Sequence, residues 1–231
     1  MSSATPQTIE PRLPVTEEYL PDSDGEPMAE TDLHRKIMID LLHALDGYFS
    51  NDPLVYVTGN IFLYYRDDEN QMRPVSPDIM VVRGVEKKER RIYKLEEEGK
   101  APDVVIELTS SSRKLEDLGT KRVIYASLGV REYFLFDPYG EYLNPPLRGY
   151  RLEDGEYMPV FGNRIRSEIL GLELRLEEGQ LRLFDPDTNE YLLTPEESEA
   201  ERLAEKAARQ TAEAEIVRLR EELAKLRKSQ S

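Results

Sequence analysis

The sequence predicts an α/β domain followed by a long C-terminal helix, and three patterns predict it. Two short apolar runs, "SPDIMVV" (76–82) and "PDVVIELT" (102–109), read as strands covered on both faces. A helical run, "KLEDLGTKRVIYASLG" (114–129), connects the second of them to a further strand, "REYFLFD" (131–137). Strand, helix and strand in that order make a crossover unit, right-handed by the general rule. Beyond Pro195 the chain has no Gly and no further Pro, and it carries small and apolar residues at helical spacing.

The elements follow in order. Residues 1–27 read as a loose arm closed by the turn formers "PDSDGEP". Leu33, Ile37, Leu41, Ala44 and Leu45 then recur three and four apart, which predicts an amphipathic helix capped by Thr31 or Asp32. "LVYVTGNIFLYY" (54–65) is β-branched and aromatic around a central Gly, and reads as two short strands or one bent one. The charged stretch "EKKERRIYKLEEEGK" (86–100) is a helix or an ordered loop. Gly129 is placed as the C′ residue of the following helix. From about 148 to 193, alternating apolar positions around "DG" and "EG" predict hairpins, placed on the flank of the central sheet. The expected divisions are an arm (1–27), a principal domain (28–193) and a long helix (194–231).

Composition narrows the function. Of 231 residues, 39% are apolar and 33% charged, enough for a core beneath a wet surface. The absence of Cys excludes disulfides and thiolate metal sites. No apolar run approaches the roughly 20 residues needed to span a bilayer, and the polar N-terminus lacks a signal-peptide core. The chain is therefore read as soluble and cytoplasmic, with no membrane partner. A net charge of −15 argues against a protein coated in basic surface. It leaves room for a metal-dependent site, where a cation reverses the local sign.

The informative feature is the acid content of the two strands. Asp103, Val105, Glu107 and Thr109 share one face of their strand, and Val104, Ile106 and Leu108 the other. A lone carboxylate there would cost several kcal/mol or take up a proton. Two carboxylates from neighbouring strands, Asp78 and Glu107, would repel unless a cation lay between them. Oxygen ligands of this kind point to Mg²⁺ or Mn²⁺. The plainer alternative is that each acid sits at a strand end, paired with its own Arg or Lys. Glu30 on the first helix and Lys121 on the crossover helix are further candidates for the same place.

The ordered series "SPDIMVV", "PDVVIELTS" and "KRVIYASLGVREYFLFDP" resembles the PD-(D/E)XK nuclease superfamily, and more closely the bacterial restriction-endonuclease-like family called Uma-two. The likeness covers roughly residues 28–140, and the hairpins at 165–193 are also similar. It implies a restriction-endonuclease-like mixed central sheet flanked by helices, with Asp78 and Glu107 as metal ligands. It also implies metal-dependent hydrolysis of phosphodiester bonds. The general superfamily places a Lys two residues after the second acid, where this chain has Thr109. The related family pattern has a Lys on the next helix, which Lys121 matches, with Lys114 the second choice.

The roles follow from charge. Asp78 and Glu107 would hold the ion, with the Leu108 carbonyl a further ligand and Glu30 completing the shell or binding a second metal. Lys121 would orient water or steady the transition state as a donor. His34, four residues after Glu30, would touch phosphate or a metal-bound water, or else is a partly buried helix-start histidine. His43 is given no role. Tyr125, four residues after Lys121, would pack on the sheet and steady the lysine. Ser110 and Arg113, with Lys114, lead into a helix N-terminus that can hold phosphate but more often is merely capped. Lys87, Lys88, Arg90, Arg91 and Lys94 are the candidate nucleic-acid contacts, weakened by interleaved acids.

In the C-terminal helix, Ala204, Ala208, Ala212, Ile216, Leu219, Leu223 and Leu226 form a stripe. A helix of that length cannot bury its stripe alone, which predicts a coiled-coil homodimer through residues 197–228, the alternative being a solvated, partly frayed helix. Two functions remain open. One is a Mg²⁺- or Mn²⁺-dependent endonuclease, with DNA as the first substrate class. The other is an inactive nuclease-fold module that assembles through the tail.

Overall fold

The structure is a computed structural model and describes residues 20, 21, 31–109 and 116–229. The N-terminal arm lies almost wholly outside the described residues, as do Glu30, Ser110, Arg113 and Lys114.

Helix α1 (Asp32–Tyr48) opens as its sequence predicts. Thr31 is the N-cap, its hydroxyl accepting from the His34 amide at 3.2 Å. Ile37, Leu41, Ala44 and Leu45 form its buried stripe. The "LVYVTGNIFLYY" run resolves into two strands, β1 (Val55–Thr58) and β2 (Leu63–Arg66), which enter different sheets. Strands β3 (Met72–Val75) and β4 (Ile79–Arg83) follow. Most of the charged stretch is ordered loop, ending in β5 (Tyr93–Lys94) and the single turn α2 (Leu95–Glu98). Strand β6 (Val104–Leu108) then leads through a π-helical segment (Glu116–Lys121) and α3 (Arg122–Ser127) into β7 (Glu132–Phe136). Gly129 follows the C-cap Leu128 with φ +80°, as a C′ glycine does.

The remaining strands are β8 (Leu147–Glu153), β9 (Glu156–Phe161), β10 (Arg164–Arg166), β11 (Glu173–Glu177), β12 (Gln180–Asp185) and β13 (Glu190–Tyr191). The six-stranded central sheet has the order β1-β4-β6-β7-β8-β9. It is mixed: β6 and β7 run parallel and the other neighbours antiparallel. The fold class expected from the sequence is therefore observed. One placement differs. The β8–β9 hairpin, turning at Asp154 and Gly155, extends the central sheet rather than flanking it. The β11–β12 hairpin does lie to the side, in a separate four-stranded sheet β10-β11-β12-β13. A hairpin's turn fixes its own pairing and leaves open which edge it joins.

The strand alternation sorts the core into two layers. Ile79, Val81, Val104, Ile106, Leu108, Phe134 and Phe136 face α1 and the four-stranded sheet. Met80, Val82, Val105, Tyr133 and Leu135 face α3 and a three-stranded sheet β3-β2-β5. Both faces of β4 and β6 are thus covered, which explains why their sequences are nearly all apolar.

Helix α4 (Pro195–Ser229) starts with a capping box. The Thr194 amide donates to Glu197 Oε2 at 2.8 Å, and the Glu197 amide donates to Thr194 Oγ1 at 3.3 Å. Pro195 fills the first helical position, where no N–H is needed. Arg182 of β12 grips Glu197 at 2.8 and 3.0 Å, and His43 of α1 lies 2.9 Å from Ser198 Oγ. From Glu199 to Lys225 every residue is exposed.

Candidate active site

Antiparallel pairing of β4 with β6 sets Ile79 opposite Ile106, so the next residues out, Asp78 and Glu107, arrive at the same end of the sheet. The two strands bind each other's acids. The Leu108 amide donates to Asp78 Oδ2 at 2.8 Å, and the Asp78 amide lies 3.4 Å from Glu107 Oε2. Both side chains are buried, Asp78 to 1% exposure and Glu107 to 0%.

Lys121 ends the π-helical segment and Tyr125 follows four residues on, a spacing that sets both on one helix face. Lys121 Nζ donates to Glu107 Oε2 at 2.9 Å and to the Ser76 carbonyl at 3.2 Å. The Tyr125 hydroxyl donates to Glu107 Oε1 at 2.6 Å, and its ring packs edge-on against Tyr133. Burial, then the Glu107 charge, push the Tyr125 phenol well above its ordinary value, so it keeps its proton and acts as a donor. His34 Nε2 lies 3.6 Å from Asp78 Oδ1, an ion-pair distance when the ring is protonated. For Asp78, burial opposes ionisation, but His34, the Lys121 charge and the Leu108 amide outweigh it. The carboxyl is held below its ordinary value.

Asp78, Glu107, Lys121 and His34 therefore converge. Three details differ from the sequence-based expectation. A cation is already at hand: Lys121 pairs with Glu107 and its charge favours ionised Asp78, so a metal is not the only group that makes this pair tolerable. Tyr125 steadies Glu107 directly rather than Lys121. His34 meets Asp78. The Leu108 amide is engaged by Asp78, and the Ser76 carbonyl is a partner that no side-chain pattern announces. Thr109, at the position of the superfamily lysine, is 1% exposed, and its hydroxyl has no hydrogen-bond partner among the described residues. Close by, an added Cβ at Gly59 would run into the Asp78 carbonyl oxygen and the Leu42 side chain. The turn after β1 is thus pressed flat against the acid.

The donor chemistry can be tested against a divalent ion. Among the described residues no group of three or more His, Cys, Asp or Glu side chains is positioned to hold a metal. That disfavours a zinc-type cage. A small hard ion needs only one or two carboxylates, with water and substrate oxygens filling the rest. Asp78 and Glu107 supply two carboxylates of that chemistry at one end of the sheet.

The basic stretch is largely spoken for. Lys87 pairs with Asp46 at 2.7 Å, Arg90 with Glu98 at 2.7 Å and Lys94 with Glu97 at 2.8 Å. Arg90 also lies over the Tyr56 ring at 4.2 Å. Lys87, Lys88, Arg90 and Arg91, but not Lys94, line a cavity of about 710 Å³ that runs along β1 to Thr58. Thr58 pairs with Met80, two residues from Asp78, so the cavity lies beside the carboxylates rather than over them.

The sequence model for Uma2, described as "Putative restriction endonuclease", matches residues 12–210. The chain belongs to the Uma2 family. Membership supports nuclease chemistry in general and bears out the resemblance seen in the strand motifs. A crystal structure from Anabaena variabilis ATCC 29413, described as "a putative nuclease belonging to DUF820", is similar at 16% identity, with a TM-score of 0.47, over 65% of this chain and 86% of that one. No curated protein matches. Among the described residues no helix is long and apolar enough to cross a membrane.

Proposed function

We propose that this Uma2 chain is a metal-dependent endonuclease that hydrolyses phosphodiester bonds, with DNA as its first substrate. The observation that carries the reading is the meeting of Asp78 and Glu107, on adjacent strands, with Lys121 buried against Glu107. Two carboxylates facing one lysine leave room for further positive charge. Asp78, Glu107 and the Leu108 carbonyl would hold Mg²⁺ or Mn²⁺, with Glu30 a further ligand. The ion would supply Lewis-acid stabilisation and a more acidic bound water. The chain's own residues do the positioning. Tyr125 fixes Glu107 from one side and Lys121 from the other, while His34 and the Leu108 amide fix Asp78. Lys121 would stabilise the charge that develops on phosphate oxygens, as a preorganised donor. Ser110, Arg113 and Lys114 remain proposed phosphate contacts. The cations along β1 must exchange acid partners for phosphate to serve the same purpose.

The test is nicking of supercoiled DNA with Mg²⁺ or Mn²⁺ by the native chain, Asp78→Ala and Glu107→Gln, with an RNA substrate run in parallel. Removing an ion ligand is expected to lower the rate at least about 100-fold. Equal rates for the native chain and Asp78→Ala would end the catalytic assignment.

One observation favours a second reading, an inactive module that works through α4. Glu107 is wholly buried, with both oxygens taken by the chain's own donors. Calorimetric titration with Mg²⁺ separates the two: no binding, together with no cleavage, would favour the module.

A further inference from the structure

We infer that α4 pairs with α4 of a second copy of this chain as a parallel, in-register two-stranded coiled coil over residues 212–226, with the seam's flanking charges setting the orientation. Among the described residues the helix is tied to the body at its first turn, through Arg182 and Glu197, His43 and Ser198, and Lys36 and Glu196. Beyond it, Ile216, Leu219 and Leu223 are 49%, 46% and 55% exposed. Ile216, Leu219, Leu223 and Leu226 follow one another at spacings of three, four and three, the a and d positions of a heptad. A β-branched Ile at a with Leu at d suits two strands. One heptad earlier, Ala212 falls at d and Arg209 at a, so the apolar seam begins at Ala212.

The flanking residues say which partner fits. Glu215 and Glu222 fall at g, and Arg220 and Arg227 at e. In a parallel pair each g residue meets the e residue five positions later on the other helix. Glu215 then meets the second copy's Arg220, and Glu222 its Arg227. In an antiparallel pair g meets g and e meets e, which sets Glu against Glu and Arg against Arg. The sequence is therefore complementary to itself in one orientation and repulsive in the other. Within one helix Glu215 and Glu222 lie 2.7 and 4.0 Å from Arg218, at a position that faces away from the seam. A seam of about two heptads is short, so the association is concentration-dependent. Because α4 begins with a rigid cap, a parallel pair would carry the two bodies at the same end of the seam.

The experiment uses the full chain without metal or nucleic acid, so its outcome is separate from the cleavage reading. Sedimentation over a wide concentration range should show a monomer–dimer equilibrium. Glu222→Arg should weaken it by roughly tenfold, since two symmetry-related pairs turn from attraction to repulsion. Adding Arg227→Glu should restore it. An antiparallel seam would respond in the opposite sense, growing stronger with Glu222→Arg alone. The chain has no cysteine, so Leu223→Cys supplies a single thiol. A parallel seam gives a disulfide-linked dimer on mild oxidation. A native chain that sediments as a monomer throughout, or a Leu223→Cys variant that does not cross-link, overturns the proposal.

Discussion

Strand β6 carries an acid near each end of one face, and the two ends neutralise their charges differently. At the first end, Asp103 accepts from the Arg83 amide at 2.7 Å and meets Arg131 at 2.6 Å and Lys100 at 3.1 Å. The Arg131 and Lys100 side chains are 56% and 39% exposed. They reach in from the surface, and water can replace either. At the second end, Glu107 is held by Lys121 and Tyr125, both buried with it. No solvent stands ready to replace them. The Asp103 end is the ordinary ion-paired strand end. The Glu107 end confines its charge among buried partners.

Five substitutions can break or sharpen that contrast, each read by urea unfolding. Lys121→Met strands Glu107 without its cation and should cost about 3–5 kcal/mol. Adding Glu107→Leu should recover much of the loss, since replacing both partners is far milder than removing one. Tyr125→Phe keeps the ring against Tyr133 and removes only the hydroxyl. A hydrogen bond to a buried charge is worth about 1.5–3 kcal/mol, and that is the expected loss. Arg131→Met, at the other end, should cost at most about 1 kcal/mol, because Lys100 and solvent remain. If it costs as much as Lys121→Met, the two ends are alike and the contrast fails. Thr109→Val should have the smallest effect, from neutral to about 1 kcal/mol of stabilisation, because the hydroxyl it removes is buried without a partner among the described residues. A clear loss would assign that hydroxyl a partner.

The sequence showed what depends on a single strand. The period of two in "VVIELT" puts Glu107 with Val105 and sets Ile106 and Leu108 apart, and the core divides along that line. It also gave α1, its Thr31 cap and the Gly129 stop, because these signals are local. What it could not give is set by distant partners. "APDVVIELTS" presents Asp103 and Glu107 alike, and only the third dimension shows Arg131 at one and Lys121 at the other. Lys121 is a candidate from its place on the helix after the strand, and the family likeness ranks it ahead of Lys114. The helix periodicity before Arg122 gave no warning of the wider π-helical winding at Glu116–Lys121. The β8–β9 hairpin joined an edge that its own turn does not name.

Gly59 gives the edge of the central sheet an unexpected leverage. Here the main chain abuts the Asp78 carbonyl with no side chain to absorb a push. On the outer side, a second cavity of about 530 Å³ is walled by Val57, Thr58 and Gly59 together with Ile39, Leu42 and His43 of α1. Any side chain added at Gly59 would have to displace the Asp78 main chain just before β4. Gly59→Ala therefore loads that contact directly, and its cost would be read as lost stability in urea unfolding.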